Sequence, residues 1–340
     1  MIKRLPEPYQ ARPACMEDLP SAVRLFNTCG QQLVGVEDKF TVERTGNEWR
    51  EPGFNLETDT RVVTDGDGEI AGYYEVWDAD DPHVKVFGWG RVHPAHTGHG
   101  IGTYLIHWAE ERSRRAVEKA PAGARVAMEL FALSSNRQAQ ELFINSGFSL
   151  IRHSLRMVID LNGSIPEPGW PEGIIVRSMN AGKEGRAVLH AVREAFQDHW
   201  GYVEHPFEEE YERWQHHYLN SKDFDPALWF LAMDGDEIAG VSLCRLETDD
   251  DKEMGWVGKL GVRRPWRRKG IGLALLHHTF REFARRGKRR VGLGVDAQSL
   301  TGATRLYERA GMRPDPSWQF SEYEKELRPG RDLRTQSLEA

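Results

Sequence analysis

The feature that most restricts this chain is an internal duplication. Residues 63–77 (VTDGDGEIAGYYEVW) and 229–246 (WFLAMDGDEIAGVSLCRL) each place a Gly/Asp turn between two alternating apolar runs. Each reads as a β-hairpin with a tight turn. Further on, GRVHPAHTGHGIGTYLIHWAEE is matched by LGVRRPWRRKGIGLALLHHTFRE, and NRQAQELFINSGF by LTGATRLYERAGM. The offset is about 164 to 170 residues throughout, too long for a solenoid repeat and suited to a duplicated domain. A chain of 340 residues is also about right for two domains. The expected division is a first domain over 1–162, a linker at 163–172 in the Pro/Gly-dense stretch DLNGSIPEPGWPEG, a second domain over 173–329 and a tail at 330–340.

Helical spacing supports the elements around the repeated G-I-G. Leu273, Leu276, Phe280 and Phe283 recur on one face, as do Ile101, Leu105, Trp108 and Ala109. Residues 290–295 are short and apolar and read as a buried strand. A second helix follows, with Ala303, Leu306, Tyr307 and Ala310 on one face and Gly311 as its stop. Upstream, IIVRSMN and GRAVLHAVREAF read as a strand and an amphipathic helix. Each half is therefore an α/β domain with a mixed sheet.

Composition narrows the function. With 39% hydrophobic and 29% charged residues the chain reads as a soluble globular protein. No window holds the roughly 18 apolar residues that a membrane span needs. The opening MIKRLPEPYQ has no apolar core of a secretory signal. Cys15, Cys29 and Cys244 are scattered and odd in number, which fits a reducing cytoplasm and neither a disulfide framework nor a metal site. A net charge of −7 argues against nucleic acid as a partner, yet residues 263–269 carry five positive charges in seven positions.

That basic run leads into Arg267-x-x-Gly270-x-Gly272 between a strand and a helix. Glycines there let the backbone approach a ligand, and N–H groups at a helix start attract anions. The spacing fits neither the Walker loop nor the dinucleotide fingerprint. It resembles the (Q/R)-x-x-G-x-(G/A) loop of the GNAT superfamily of N-acetyltransferases, and LTGATRLYERAGM resembles that family's second hallmark. The two-domain layout is similar to its tandem members of the mycothiol synthase type. The resemblance implies two GNAT-like domains, each a mixed, largely antiparallel sheet flanked by helices.

It also implies acetyl-CoA as co-substrate, with no metal, and a primary amine of a small molecule as acceptor. Arg267, Arg268, Lys269, Gly270, Ile271 and Gly272 would hold the CoA pyrophosphate. Leu260, Gly261 and Val262 would pair with the pantetheine arm, and Tyr307 would protonate the departing thiolate. In the first half Thr97 stands where Arg267 would, and Phe143 where Tyr307 would. That half is expected to be degenerate, with Val92, Gly98, His99, Gly100, Ile101, Gly102 and Asn136 as the remnant of a second CoA site.

The family's general base is less legible. Its glutamate position matches Trp256, so Glu247 is the candidate, with Glu253 as substitute. Asp198, His199 and Trp200, in an aromatic stretch over 195–217, are expected at the acceptor. A monomer or homodimer is expected. Two other readings stay open: a CoA-binding sensor without catalysis, and a protein or peptide acetyltransferase.

Overall fold

In a computed structural model the described residues are 4–35 and 40–337. The first three residues of the leading stretch and the last three of the expected tail lie outside them. The chain divides into two compact units. One comprises residues 1–152 with 320–333, the other 153–319 with 334–340.

In the first unit the order is β1 (Gln10–Arg12), α1 (Leu19–Val34), α2 (Val42–Glu48), α3 (Leu56–Asp59), β2 (Thr60–Thr64), β3 (Ile70–Trp77), β4 (Lys85–Val92), α4 (Ile101–Ser113), α5 (Arg115–Lys119), β5 (Val126–Leu133) and α6 (Arg137–Asn145). The next strand, β6 (Ser149–Asp160), carries the chain into the second unit. There follow β7 (Ile174–Ser178), α7 (Gly185–Phe196), α8 (Phe207–Trp214), β8 (Trp229–Asp234), β9 (Glu237–Arg245), β10 (Met254–Val262), α9 (Ile271–Arg285), β11 (Arg290–Asp296), α10 (Ala303–Arg309) and β12 (Arg313–Arg328).

The two sheets have one topology. The first runs β1-β2-β3-β4-β5-β12 and the second β7-β8-β9-β10-β11-β6. Within each, the β4/β5 or β10/β11 pair is parallel, and the neighbours on either side are antiparallel. The closing strand of each comes from the other half of the sequence. Residues 320–328 pair with β5, and residues 154–160 with β11. This amends the expected boundaries of 1–162 and 173–329 at both ends. Both closing segments are regular strands, and the antiparallel ladder accepts either.

Helices cover both faces of the second sheet. Leu275, Phe280 and Phe283 of α9 bury one face with Val257 and Leu293, and Val188, Leu189 and Val192 of α7 bury the other with Val241 and Leu243. Full burial of each such side chain contributes roughly 1.5–3 kcal/mol. In the first unit Phe26 and Tyr73 are buried among Trp49, Leu19 and Val62. Arg112 is held there by Asp59 (2.9 Å from Nε) and Asp78 (2.8 Å from Nη1), all three nearly solvent-free. No described helix is long and apolar enough to cross a membrane.

Candidate active site

The second sheet is open at its centre. Parallel pairing of β10 with β11 runs from Met254↔Arg290 to Val257↔Leu293 and stops, although the strands continue to Val262 and Asp296. On its other side β10 slips in register against β9 between Val257 and Lys259. A bulge of this kind bends a strand and ends pairing beside sites. The opening holds a cavity of about 140 Å³ lined by 257–260 of β10, 293–296 of β11, and Phe196, His199, Trp200 and Tyr307. Backbone edges that no longer pair with each other across the gap suit an extended, amide-bearing ligand.

β10 ends in the basic loop. Arg263 donates to Glu194 and Glu237 (2.6 Å each), and Arg264 donates to Asp198 (3.0 Å from Nε). Arg267 donates to Asp198, to Val262 O (3.0 Å) and to Ala195 O (3.0 Å). Three of the five positive charges are thus bound inside the protein. Arg268 and Lys269 have no carboxylate partner among the described residues. Arg268 adopts φ 61° and Gly270 φ 91°, both in the left-handed region. Gly270 precedes α9 with no side chain capping the helix start. The loop therefore offers helix N–H groups and two side-chain cations at one place, an arrangement suited to phosphate. Gly272 serves packing, since a Cβ there would come within 3.1 Å of Leu306. At Gly261 a Cβ would come within 2.8 Å of Ala195, so the end of α7 lies tight on β10. Ile271 is buried in the core.

Tyr307 is in α10, 7% exposed, and lines the cavity. Burial pushes its phenol up to about 12, so it keeps its proton at neutral pH. Leu260 lines the same cavity. His199 and Trp200 reach it as expected, but Asp198 does not line it. Both Asp198 oxygens are taken by Arg264 and Arg267, which hold its carboxyl down at about 2. Its position fits an anchor of the loop and not an acceptor contact.

Glu247 is not brought to the cavity. It follows Arg245, which pairs with Trp256 at the closed end of β10, whereas the gap opens after Val257. Its carboxylate is held by Lys252 (2.6 Å) and Lys288 (3.3 Å). Glu253 pairs with Arg289 at 3.2 Å and is likewise outside the lining. Lys259 and Asp296, which are not among the residues expected from the sequence, do line the cavity. The available signal for Asp296 was its place at the C-terminal end of a parallel strand, where ligands gather in such sheets.

The first unit repeats the framework with other chemistry. Pairing of β4 with β5 stops at Gly88↔Leu130, four pairs in, as in the second unit. Here Tyr74 packs against Gly88, whose Cβ would lie 2.8 Å from its hydroxyl; Ser242 holds the corresponding place on β9. The loop keeps Gly98 (φ 83°) and Gly100 (φ 79°), and Gly102 packs on Leu142 as Gly272 does on Leu306. Ile101 is buried, and the Val92 carbonyl accepts from Cys29 Sγ (3.3 Å). His99 lies 5.8 Å from the Tyr9 ring, and Asn136 caps α6 by accepting from Ala139 N–H (3.1 Å). Phe143 packs on Tyr323, whose hydroxyl donates to Gln140 (3.1 Å).

A sheet split at its parallel pair, a Gly-rich cationic helix start and a phenol beside the split suit an enzyme that handles an extended, phosphate-bearing ligand. The chain belongs to the acetyltransferase (GNAT) family, whose model matches residues 22–148 and 189–312. It is an acetyl-CoA-dependent acyltransferase with tandem domains. A mycothiol acetyltransferase of Streptomyces scabiei is 31% identical over 248 residues, covering 72% of this chain and 73% of that one. One of Geodermatophilus obscurus is 29% identical over 272 residues, covering 76% and 80%. Among solved structures, a GCN5-related N-acetyltransferase from Sphaerobacter thermophilus superposes with a TM-score of 0.77 at 37% identity, over 98% of this chain and 100% of that one. A tandem GNAT protein from the clavulanic acid biosynthesis pathway shares the fold, with a TM-score of 0.69 at 15% identity over 95% and 99%.

Proposed function

We propose that the second unit transfers the acetyl group of acetyl-CoA to a primary amine of a small molecule. The observation that carries this is the convergence of Tyr307, the opened strand edges of β10 and β11 and the Arg268–Gly272 loop on one side of one sheet. Arg268, Lys269 and the first N–H groups of α9 hold the pyrophosphate. The edge at 258–260 takes the pantetheine amides and orients the thioester at the gap. The neutral amine attacks the carbonyl carbon, a C–N bond forms and the C–S bond breaks. The amine gives up one proton and the departing sulfur gains one.

Tyr307 is the donor for the sulfur. A phenol held at about 12 by burial is a weaker acid than a thiol at its ordinary value near 8.5. The same desolvation raises the thiolate, so the two acidities approach and the hydroxyl hands over its proton as the C–S bond lengthens.

A small acceptor is supported by the enclosure of the cavity by Phe196, His199 and Trp200, which follow α7. Relatives named mycothiol acetyltransferases favour the same class. In the first unit Phe143 has no proton to give, and Thr97 and His99 stand for Arg267 and Lys269. That unit is read as non-catalytic. The test is thiol release from acetyl-CoA across a panel of small amines and peptides. Release with small amines, abolished by Gly270→Asp and retained in Gly100→Asp, supports the reading. Release only with peptides, or loss confined to Gly100→Asp, overturns it.

A further inference from the structure

The cavity must also receive the proton that the amine loses, and neither Glu247 nor Glu253 reaches it. Four of its lining residues carry ionisable side chains: His199, Lys259, Asp296 and Tyr307. Tyr307 is assigned to the sulfur. Lys259 offers donors only, and its ammonium lies 5.6 Å from the Phe196 ring centre. That leaves an imidazole and a carboxylate.

His199 is fixed by its turn. Its N–H donates to Phe196 O (2.9 Å), its carbonyl accepts from Tyr202 N–H (3.1 Å), and its ring lies 4.5 Å from that of Phe196. Phe196 is the last residue of α7 and borders the same cavity. Asp296 is the last residue of β11, and one of its carboxylate oxygens accepts from Gln298 N–H (2.9 Å). A carboxylate already bonded in this way is a poorer proton acceptor than an imidazole, and it is suited to stabilising an adjacent imidazolium.

We propose that His199 accepts the proton of the attacking amine, with Asp296 of the same cavity stabilising the imidazolium that forms. This rests on the acetyl-transfer reading of the second unit. The step balances: the N–H bond of the amine breaks as the C–N bond forms, and the proton moves to an imidazole nitrogen. The charged groups around His199 are Arg267, Asp198, Asp296 and Lys259. Burial is the larger influence and keeps the ring neutral at neutral pH. Arg267 and Lys259 act in the same direction, and Asp198 and Asp296 oppose them. The arrangement sets a half-buried histidine beside two cations and a carboxylate at the edge of the cavity.

Three measurements on the full chain test this. In thiol-release assays His199→Gln should lower kcat by about 10²- to 10⁴-fold and remove the acid limb that the wild type shows below about pH 6.5. Acetyl-CoA affinity and Tm should stay near wild type, which separates loss of the base from loss of the site. Asp296→Asn should lower kcat by about tenfold. By NMR, the wild-type His199 ring should be neutral at pH 7, and its pKa should fall further in Asp296→Asn, because an anion that favours the imidazolium is gone. A wild type that releases no thiol sinks the acetyl-transfer reading, and the NMR measurement then still decides the state of His199. Wild-type rate and pH profile in His199→Gln, or a ring protonated at pH 8, overturns the role of His199. Full loss in Asp296→Asn with an active His199→Gln would make Asp296 the base.

Discussion

The guanidinium of Arg267 donates to the carboxylate of Asp198, tying the glycine loop to the turn that follows α7. Arg264 donates to the same carboxylate through two nitrogens, and Arg267 also holds the carbonyls of Val262 and Ala195. One buried acid therefore sets the path of the backbone from β10 into α9. Asp198→Asn keeps the shape and loses the charge. The acetyl-CoA KM should rise about tenfold, in keeping with loss of a charge-assisted hydrogen bond of roughly 1.5–3 kcal/mol. The kcat at saturation should change less. A lower Tm with an unchanged KM would make the pair purely structural.

Arg268 occupies a backbone conformation that favours glycine, φ 61°, where the first unit has Gly98 at φ 83°. A side chain in this region costs roughly 1–2 kcal/mol. Such a cost is retained where the side chain works. Arg268→Ala keeps the strain and removes the cation, whereas Arg268→Gly removes both. Both variants should weaken acetyl-CoA binding by about tenfold in calorimetry at moderate salt. Only Arg268→Gly should raise Tm. Equal affinity in wild type and both variants would take Arg268 out of the phosphate site.

Much of this site was legible because it is local. The Gly270-x-Gly272 turn, the basic run and Tyr307 are each fixed by their own helix or loop, and the structure places all of them around α9 and α10. What depended on distant pairing was not legible. Asp198 lies 69 positions before Arg267, and nothing in its neighbours says that a loop arginine will claim it. Glu247 was a reasonable candidate by type, but which end of β9 borders the gap follows from where the β10/β11 pairing stops. The exchange of closing strands is hidden for the same reason. Residues 154–160 and 320–328 are strands in the structure, and even a strand legible in the sequence does not state its partner.

Tyr307→Phe removes one hydroxyl and leaves the ring packed among Leu293, Ala310 and Met312 of the same core. If the phenol serves the leaving sulfur, kcat should fall by about 10²- to 10⁴-fold with acetyl-CoA binding nearly constant. A thioester with a more acidic thiol should lose less, since its sulfur needs the proton less. Wild-type kcat with a Tm shifted by a few degrees would leave Tyr307 a core aromatic.

Acid should destabilise the chain in two stages. Burial holds His199, His277 and His278 below their ordinary value. Below about pH 6.5 the unfolded chain therefore binds more protons at these sites than the folded one, and stability falls with pH. Asp198, held by Arg264 and Arg267, and Glu282, held by Arg285 and Arg286, are depressed to about 2. Their contribution is complete above about pH 4 to 4.5 and is lost as pH falls towards 2. Tm against pH should decline from about 6.5 downward and steepen below about 4, and Asp198→Asn should soften the second stage only. A flat Tm between pH 7.5 and 5 would contradict the first.

Residues 331 and 334–336 of the expected tail are each bonded within their own unit. Residue 331 belongs to the first unit, where its N–H donates to Gly123 O and its carbonyl accepts from Arg125 N–H (2.8 Å each). Residues 334–336 belong to the second unit and strap the turn after α7. Thr335 exchanges backbone bonds with Gly201 (2.8 Å) and Tyr202 (2.9 Å), its hydroxyl donates to Gln197 O (3.1 Å), and Gln336 accepts from the Trp200 indole (3.1 Å). Trp200 borders the cavity, so the strap holds one of its walls. Ending the chain after Leu333 removes these bonds and leaves β12 and the residue-331 bridge in place. At roughly 1 kcal/mol per bond the turn loses most of its local stability. The acceptor KM should rise about tenfold and the acetyl-CoA KM by less, because the Asp198 pairs with Arg264 and Arg267 do not involve the strap. Equal rises in both constants would mean that the strap supports the whole unit, and an unchanged acceptor KM would leave Trp200 positioned by α7 alone.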